Sequence, residues 1–116
     1  MGMPEQVDKF RWIRETYTWS TNAGEENMIA YTTIGTNNLD RALEFYDSLL
    51  GEIGGSRAAE LPGIVLYAGA DGKPFFAVAK PWDEGEATIG NGSMIGLSAE
   101  NTEAVDTLYQ RAIDLG

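Results

Sequence analysis

The chain has no cysteine and no histidine among its 116 residues. Without thiols there is no disulfide, no thiolate nucleophile and no redox pair. Without imidazole there is no Ser-His-Asp relay and no Cys/His zinc site. Any bound metal would need an all-oxygen site of carboxylates, carbonyls and waters. Basic residues are scarce, 8 against 18 acids, leaving a formal charge of −10. Such a surface repels phosphate backbones and anionic lipid, which excludes nucleic acid and membrane as expected partners. Long apolar runs are missing as well. None approaches the roughly 20 residues of a spanning helix, and the charged N-terminal region has no signal-peptide core. Cytoplasm is the expected location.

What is present suits a globular fold. Hydrophobic residues make up 43% and charged residues 22%, a balance that argues against wholesale disorder. The length fits one domain. Residues 1–27 read as an N-terminal extension: a helix up to about Arg14, an extended stretch Thr16-Tyr17-Thr18-Trp19-Ser20, and a loop over Thr21-Asn22-Ala23-Gly24. Its aromatic residues suggest docking on its own domain or on a second subunit.

From residue 28 the punctuation is regular. Met28 to Ile34 is β-rich and ends at Gly35. Asn37 or Asn38 stands where a helix cap belongs, with Asp40 in the first turn. Leu39, Ala42, Leu43, Tyr46, Leu49, Leu50 and Ile53 then form one apolar stripe at helical period, and Gly51, Gly54 and Gly55 supply the stop. Strands are expected at Ser56–Glu60, Gly63–Ala68 and Pro74–Lys80. The last two are joined by Asp71-Gly72, a hairpin signal. Residues 81–92 read as a loop rich in Gly and acids. Ser93–Ser98 reads as another strand, and Asn101 caps a second helix striped by Val105, Leu108, Tyr109, Ala112 and Leu115.

Strand, cap and helix therefore occur twice. At an offset of 63, Asn38 falls on Asn101, Ala42 on Val105, Tyr46 on Tyr109, Leu50 on Ile113 and Ile34 on Leu97. A repeat of this length implies two copies of one strand-helix-strand-strand-strand unit. The first copy spans 28–90. The second, 91–116, holds only its first strand and helix. Half a module would leave a sheet edge exposed. A chain continuing past Gly116, cover from a partner copy, or the leader filling part of the gap would each relieve that.

These residues resemble the vicinal-oxygen-chelate superfamily of glyoxalases, bleomycin-resistance proteins and extradiol dioxygenases. The carriers are Ile34-Gly35-Thr36-Asn37-Asn38-Leu39-Asp40-Arg41-Ala42 with Phe45-Tyr46-Asp47 and Leu50, supported by Gly90-Asn91-Gly92-Ser93-Met94 with Val105-Asp106. The resemblance covers 28–116. It implies an α+β fold of paired βαβββ modules whose mixed sheet curls around a concave cleft. It also implies a divalent metal held there by His or Glu from the first and last strands of each module, acting as a Lewis acid.

Carried onto this sequence, the first-strand ligand position falls on Tyr31 and its counterpart in the second module on Met94. The stretch Phe75-Phe76-Ala77-Val78-Ala79-Lys80 offers no ligand. A tyrosine phenol, ordinarily near pKa 10, is a poor unaided ligand at neutral pH, and a thioether is too soft for oxygen-chelating ions. The expectation is a protein with neither metal nor cofactor that binds a small organic molecule through Tyr31, Thr33, Met94 and Trp82, as a homodimer. Thr33 joins Tyr31 by strand alternation. Two alternatives stand beside it. One is a lyase or dioxygenase with an atypical site using Tyr31 and Glu60. The other is an interaction module without catalysis. The acids Asp83, Glu84 and Glu86 read as a solvated loop.

Overall fold

A computed structural model describes residues 28–72 and 74–116 of the chain. The expectations for the leader up to residue 27 lie outside the described residues. The chain divides into two compact units, 1–30 and 31–116, and the second carries the fold.

That unit runs β1 (Tyr31–Gly35), α1 (Leu39–Gly51), β2 (Ser56–Leu61), β3 (Ile64–Ala68), β4 (Phe75–Ala79) and α2 (Thr102–Leu115). The four strands form one open sheet in the order β1-β4-β3-β2. β1 lies parallel to β4, while β4–β3 and β3–β2 are antiparallel. This is a mixed α+β sheet: α1 carries the chain from β1 to β2 at the opposite edge, and the antiparallel run β2-β3-β4 steps back until β4 lies beside β1.

Local chemistry explains the boundaries. Asn38 accepts the Arg41 N–H at 3.1 Å and opens α1. Asn101 accepts the Ala104 N–H at 2.8 Å and opens α2. The same capping bond recurs at the repeat offset, so the two helices begin by one mechanism. At the end of α1, Gly54 takes φ 83° and the Gly55 N–H returns to the Leu50 carbonyl at 2.8 Å. Between β2 and β3, Pro62-Gly63 makes a two-residue turn in which Gly63 takes φ 83°, a backbone region that favours glycine.

Register fixes the faces. Ile34 pairs with Val78, Val78 with Val65, and Tyr67 with Phe76. Val65, Tyr67 and Val78 are buried against Leu50, and Ala42, Leu43 and Tyr46 of α1 pack on the same cluster. This is the helix face. Tyr31, Thr33, Phe75, Ala77, Ile64 and Leu66 alternate to the far face, where all but Tyr31 and Thr33 are buried. β3 is thus buried on both faces, which accounts for its unbroken apolar run Ile-Val-Leu-Tyr.

One expected element does not form. Ser93–Ser98 has strand composition but adopts no strand, and Met94 is 93% exposed. A strand exists by pairing, and no described strand exchanges ladder bonds with this segment. α2 does form, yet none of its residues is buried, and Val105, Tyr109 and Ile113 stay largely exposed. Their repeat counterparts in α1 are Ala42, Tyr46 and Leu50, which pack on the sheet.

Candidate functional site

The far face carries the position where the resemblance implies a metal. Tyr31 opens β1 and pairs with Phe75, while the exposed Thr33 pairs with Ala77. β4, Phe75–Ala79, brings only Phe, Ala and Val to the site. Among the described residues no three carboxylates gather closely enough to hold an ion. The side chains that stand here are a phenol, a hydroxyl and hydrocarbon. They do not fit a hard divalent metal, and no Lewis-acid step follows from them.

The structure divides the four expected ligand contacts. Tyr31 and Thr33 share the far face. Met94 lines a cavity on the helix face. Trp82 is half-buried three residues past β4, at the end where Gly35 pairs with Ala79. Four strand steps separate that end from Tyr31, about 13 Å. Tyr31 and Glu60, the pair an atypical enzyme would use, are not brought together either. They stand on opposite edge strands three intervals apart, roughly 14 Å, and Glu60 pairs with Val65 on the helix face. Glu60 is also occupied, accepting from Arg57 Nη1 at 2.9 Å.

The helix-face cavity was not legible in advance. Its volume is about 310 Å³. Its lining includes Ile34 of β1, Phe45 and Tyr46 of α1 and Phe76 of β4, together with Ile89, Met94 and Leu97 from the segment after β4. The three rings are mutually arranged: Phe45 and Tyr46 meet edge-on at 4.9 Å, and Tyr46 and Phe76 lie 5.2 Å apart at 56°, both favourable aromatic geometries. Burial pushes the Tyr46 phenol above its ordinary value, so it stays protonated at neutral pH.

A polar cluster fastens α1 to the β2–β3 side of the sheet. Asp47 Oδ1 accepts from Arg57 Nε at 2.9 Å and from the Tyr67 hydroxyl at 2.7 Å, and its Oδ2 accepts from Arg57 Nη2 at 2.7 Å. One carboxylate so ties α1 to β2 and β3. The register shift between Arg57 and Ala59 inserts an extra residue and turns Arg57 and Glu60 to the same face. The Arg57 guanidinium holds the Asp47 carboxyl below its ordinary range, and the Tyr67 bond adds to this. Burial, with Asp47 as acceptor, raises the Tyr67 phenol well above its own. A second tie runs from Asn37, whose Oδ1 accepts the Ala87 N–H at 2.7 Å and pins the loop after β4 beside the start of α1.

Comparison with known proteins supports the fold and the family. No family model matches the chain, and no curated protein matches it. Solved structures do. A glyoxalase/bleomycin resistance protein from Albidiferax ferrireducens T118 is 31% identical, with a TM-score of 0.69, over 78% of this chain and 73% of that one. A glyoxalase/bleomycin resistance protein/dioxygenase from Nocardioides shares the fold at 18% identity and a TM-score of 0.52, over 94% of this chain and 72% of that one. With the βαβββ module, the capped repeat and this likeness together, the chain belongs to the glyoxalase/bleomycin resistance protein family of the vicinal-oxygen-chelate superfamily.

Proposed function

We propose that this protein binds a small organic molecule without a metal, on the far face of its sheet near Tyr31 and Thr33. One observation carries the reading: the strand positions that would hold a metal bear a phenol and apolar side chains, with Thr33 exposed beside them. Apolar walls with a few convergent polar groups are the usual composition of ligand pockets. Tryptophan fluorescence, to which Trp12, Trp19 and Trp82 all contribute, gives the readout. The test is a fluorescence titration with a library of aromatic and aliphatic compounds in the presence of a chelator. Saturable quenching that Tyr31→Ala abolishes supports the reading; binding that appears only after a divalent ion is added refutes it.

The reading includes association of two copies in the cytoplasm. Its support is the apolar stripe Val105, Tyr109 and Ile113, more than half exposed on α2. Light scattering on dilution checks it. A dimer that Tyr109→Lys disperses is expected; a monomer at every concentration contradicts it. No helix among the described residues is long and apolar enough to cross a membrane.

A further inference from the structure

We infer that the helix-face cavity is a second ligand site, which takes a one- or two-ring aromatic molecule carrying no negative charge. It is separate from the far-face reading, because Ile34 and Phe76 point to the side of the sheet that Tyr31 and Thr33 do not share.

Size sets the first limit. The cavity of about 310 Å³ holds roughly ten water volumes at about 30 Å³ each. That is the space of one or two fused rings, at the lower end of ordinary ligand sites. Shape sets the second. Phe45, Tyr46 and Phe76 present faces and edges in three orientations, so a flat ring finds both stacked and edge-on partners. Met94, also in the lining, is unbranched and adapts to irregular outlines, and at 93% exposure it has room to fold over an entering ring.

Charge sets the third. Among the described residues no charged side chain lines the cavity, and the side-chain hydroxyls there are those of Tyr46 and Ser93. An anion would enter a site with no cation to meet it, in a chain of net charge −10. A neutral or cationic ring avoids that cost, and a cation over an aromatic face is itself favourable. The Tyr46 phenol stays neutral and available to donate.

The experiment compares two molecules with the same rings, 2-naphthol and 2-naphthoate. Calorimetry gives affinity, and NMR shifts of the Met94 methyl and of backbone amides give location. Expected is saturation by 2-naphthol at one site per chain, with shifts centred on Tyr46, Phe76 and Met94, and binding of 2-naphthoate at least tenfold weaker. Met94→Asp, on an exposed residue, should weaken 2-naphthol at least tenfold with an unchanged melting curve. Phe45→Leu, which keeps bulk but removes a ring, should weaken it several-fold. No saturation, equal binding of the two molecules, an unaffected Met94→Asp, or shifts centred on Tyr31 and Thr33 would each overturn the inference. Failure of the far-face reading leaves these shifts where they are.

Discussion

Removing the Asp47 carboxylate should cost more than its exposure suggests, and the reason lies in Tyr67. Asp47 and Arg57 are partly solvated, with 43% and 32% of their side chains exposed. An ion pair of that kind contributes only about 0.2–1 kcal/mol. Tyr67 differs: its residue is 2% exposed, and its hydroxyl donates to Asp47 at 2.7 Å. A hydrogen bond to a charged group is worth about 1.5–3 kcal/mol, and a buried hydroxyl left without an acceptor costs about 1–3 kcal/mol. Asp47→Ala is therefore expected to lose about 2–3 kcal/mol. Tyr67→Phe removes the donor while Asp47 keeps Arg57, and is expected to lose about 1–1.5 kcal/mol, the low end for a half-solvated acceptor. In the double variant no hydroxyl is stranded, so its loss should fall short of the sum by about 1 kcal/mol or more. Urea denaturation of the four proteins measures this cycle. Additivity within about 0.5 kcal/mol, the behaviour of independent sites, would refute the argument that the carboxylate acts through the buried phenol.

The same cluster sets a pH response with two limbs. The folded Asp47 carboxyl titrates below its ordinary value of 3.8, so its contribution is present above that value and is lost as pH falls through the folded one. Acid titration should shrink the difference between wild type and Asp47→Asn progressively as pH falls below that ordinary value. The Tyr67 phenol is raised above its ordinary 10.0, so its contribution is present below pH 10 and is lost as pH rises further; Tyr67→Phe should flatten that alkaline loss in denaturant melts. Asn38→Ala should cost about 1 kcal/mol through its cap, read as a fall in melting temperature. Leu66→Ala, at a fully buried position, should cost about 2–5 kcal/mol and is expected to leave little of a native state by circular dichroism at 37 °C. Gly63→Ala forces a side chain into φ 83° and should cost about 1–2 kcal/mol, whereas Gly69→Ala, where an added methyl meets nothing, should change stability little.

Much of the fold was legible because its signals are local. The α1 stripe and both asparagine caps are short-range facts, and the offset that pairs Asn38 with Asn101 reappears as two equivalent hydrogen bonds. The antiparallel β3–β4 pair that Asp71-Gly72 signals also forms, through a longer connection over residues 69–74. Ser93–Ser98 did not follow, because strand composition names a partner's requirement rather than its presence. The candidate site suffered from the same gap. Alternation put Tyr31 and Thr33 on one face correctly, since β1 is a strand. It had no purchase on Met94, whose segment is not one, and Met94 instead lines a cavity with residues of β1, α1 and β4. The Asp47 cluster was hidden by the register shift in β2, which no pattern in Ser-Arg-Ala-Ala-Glu-Leu announces.

The central claim is that a member of a metal-binding superfamily has a site that takes organic ligands without metal. Its most direct test is the metal content of the purified chain after incubation with manganese, iron, nickel and zinc and then desalting. The account predicts far less than one ion per chain for all four, with no change in melting temperature. Retention of about one ion per chain, with a melting temperature raised by that ion, would contradict it.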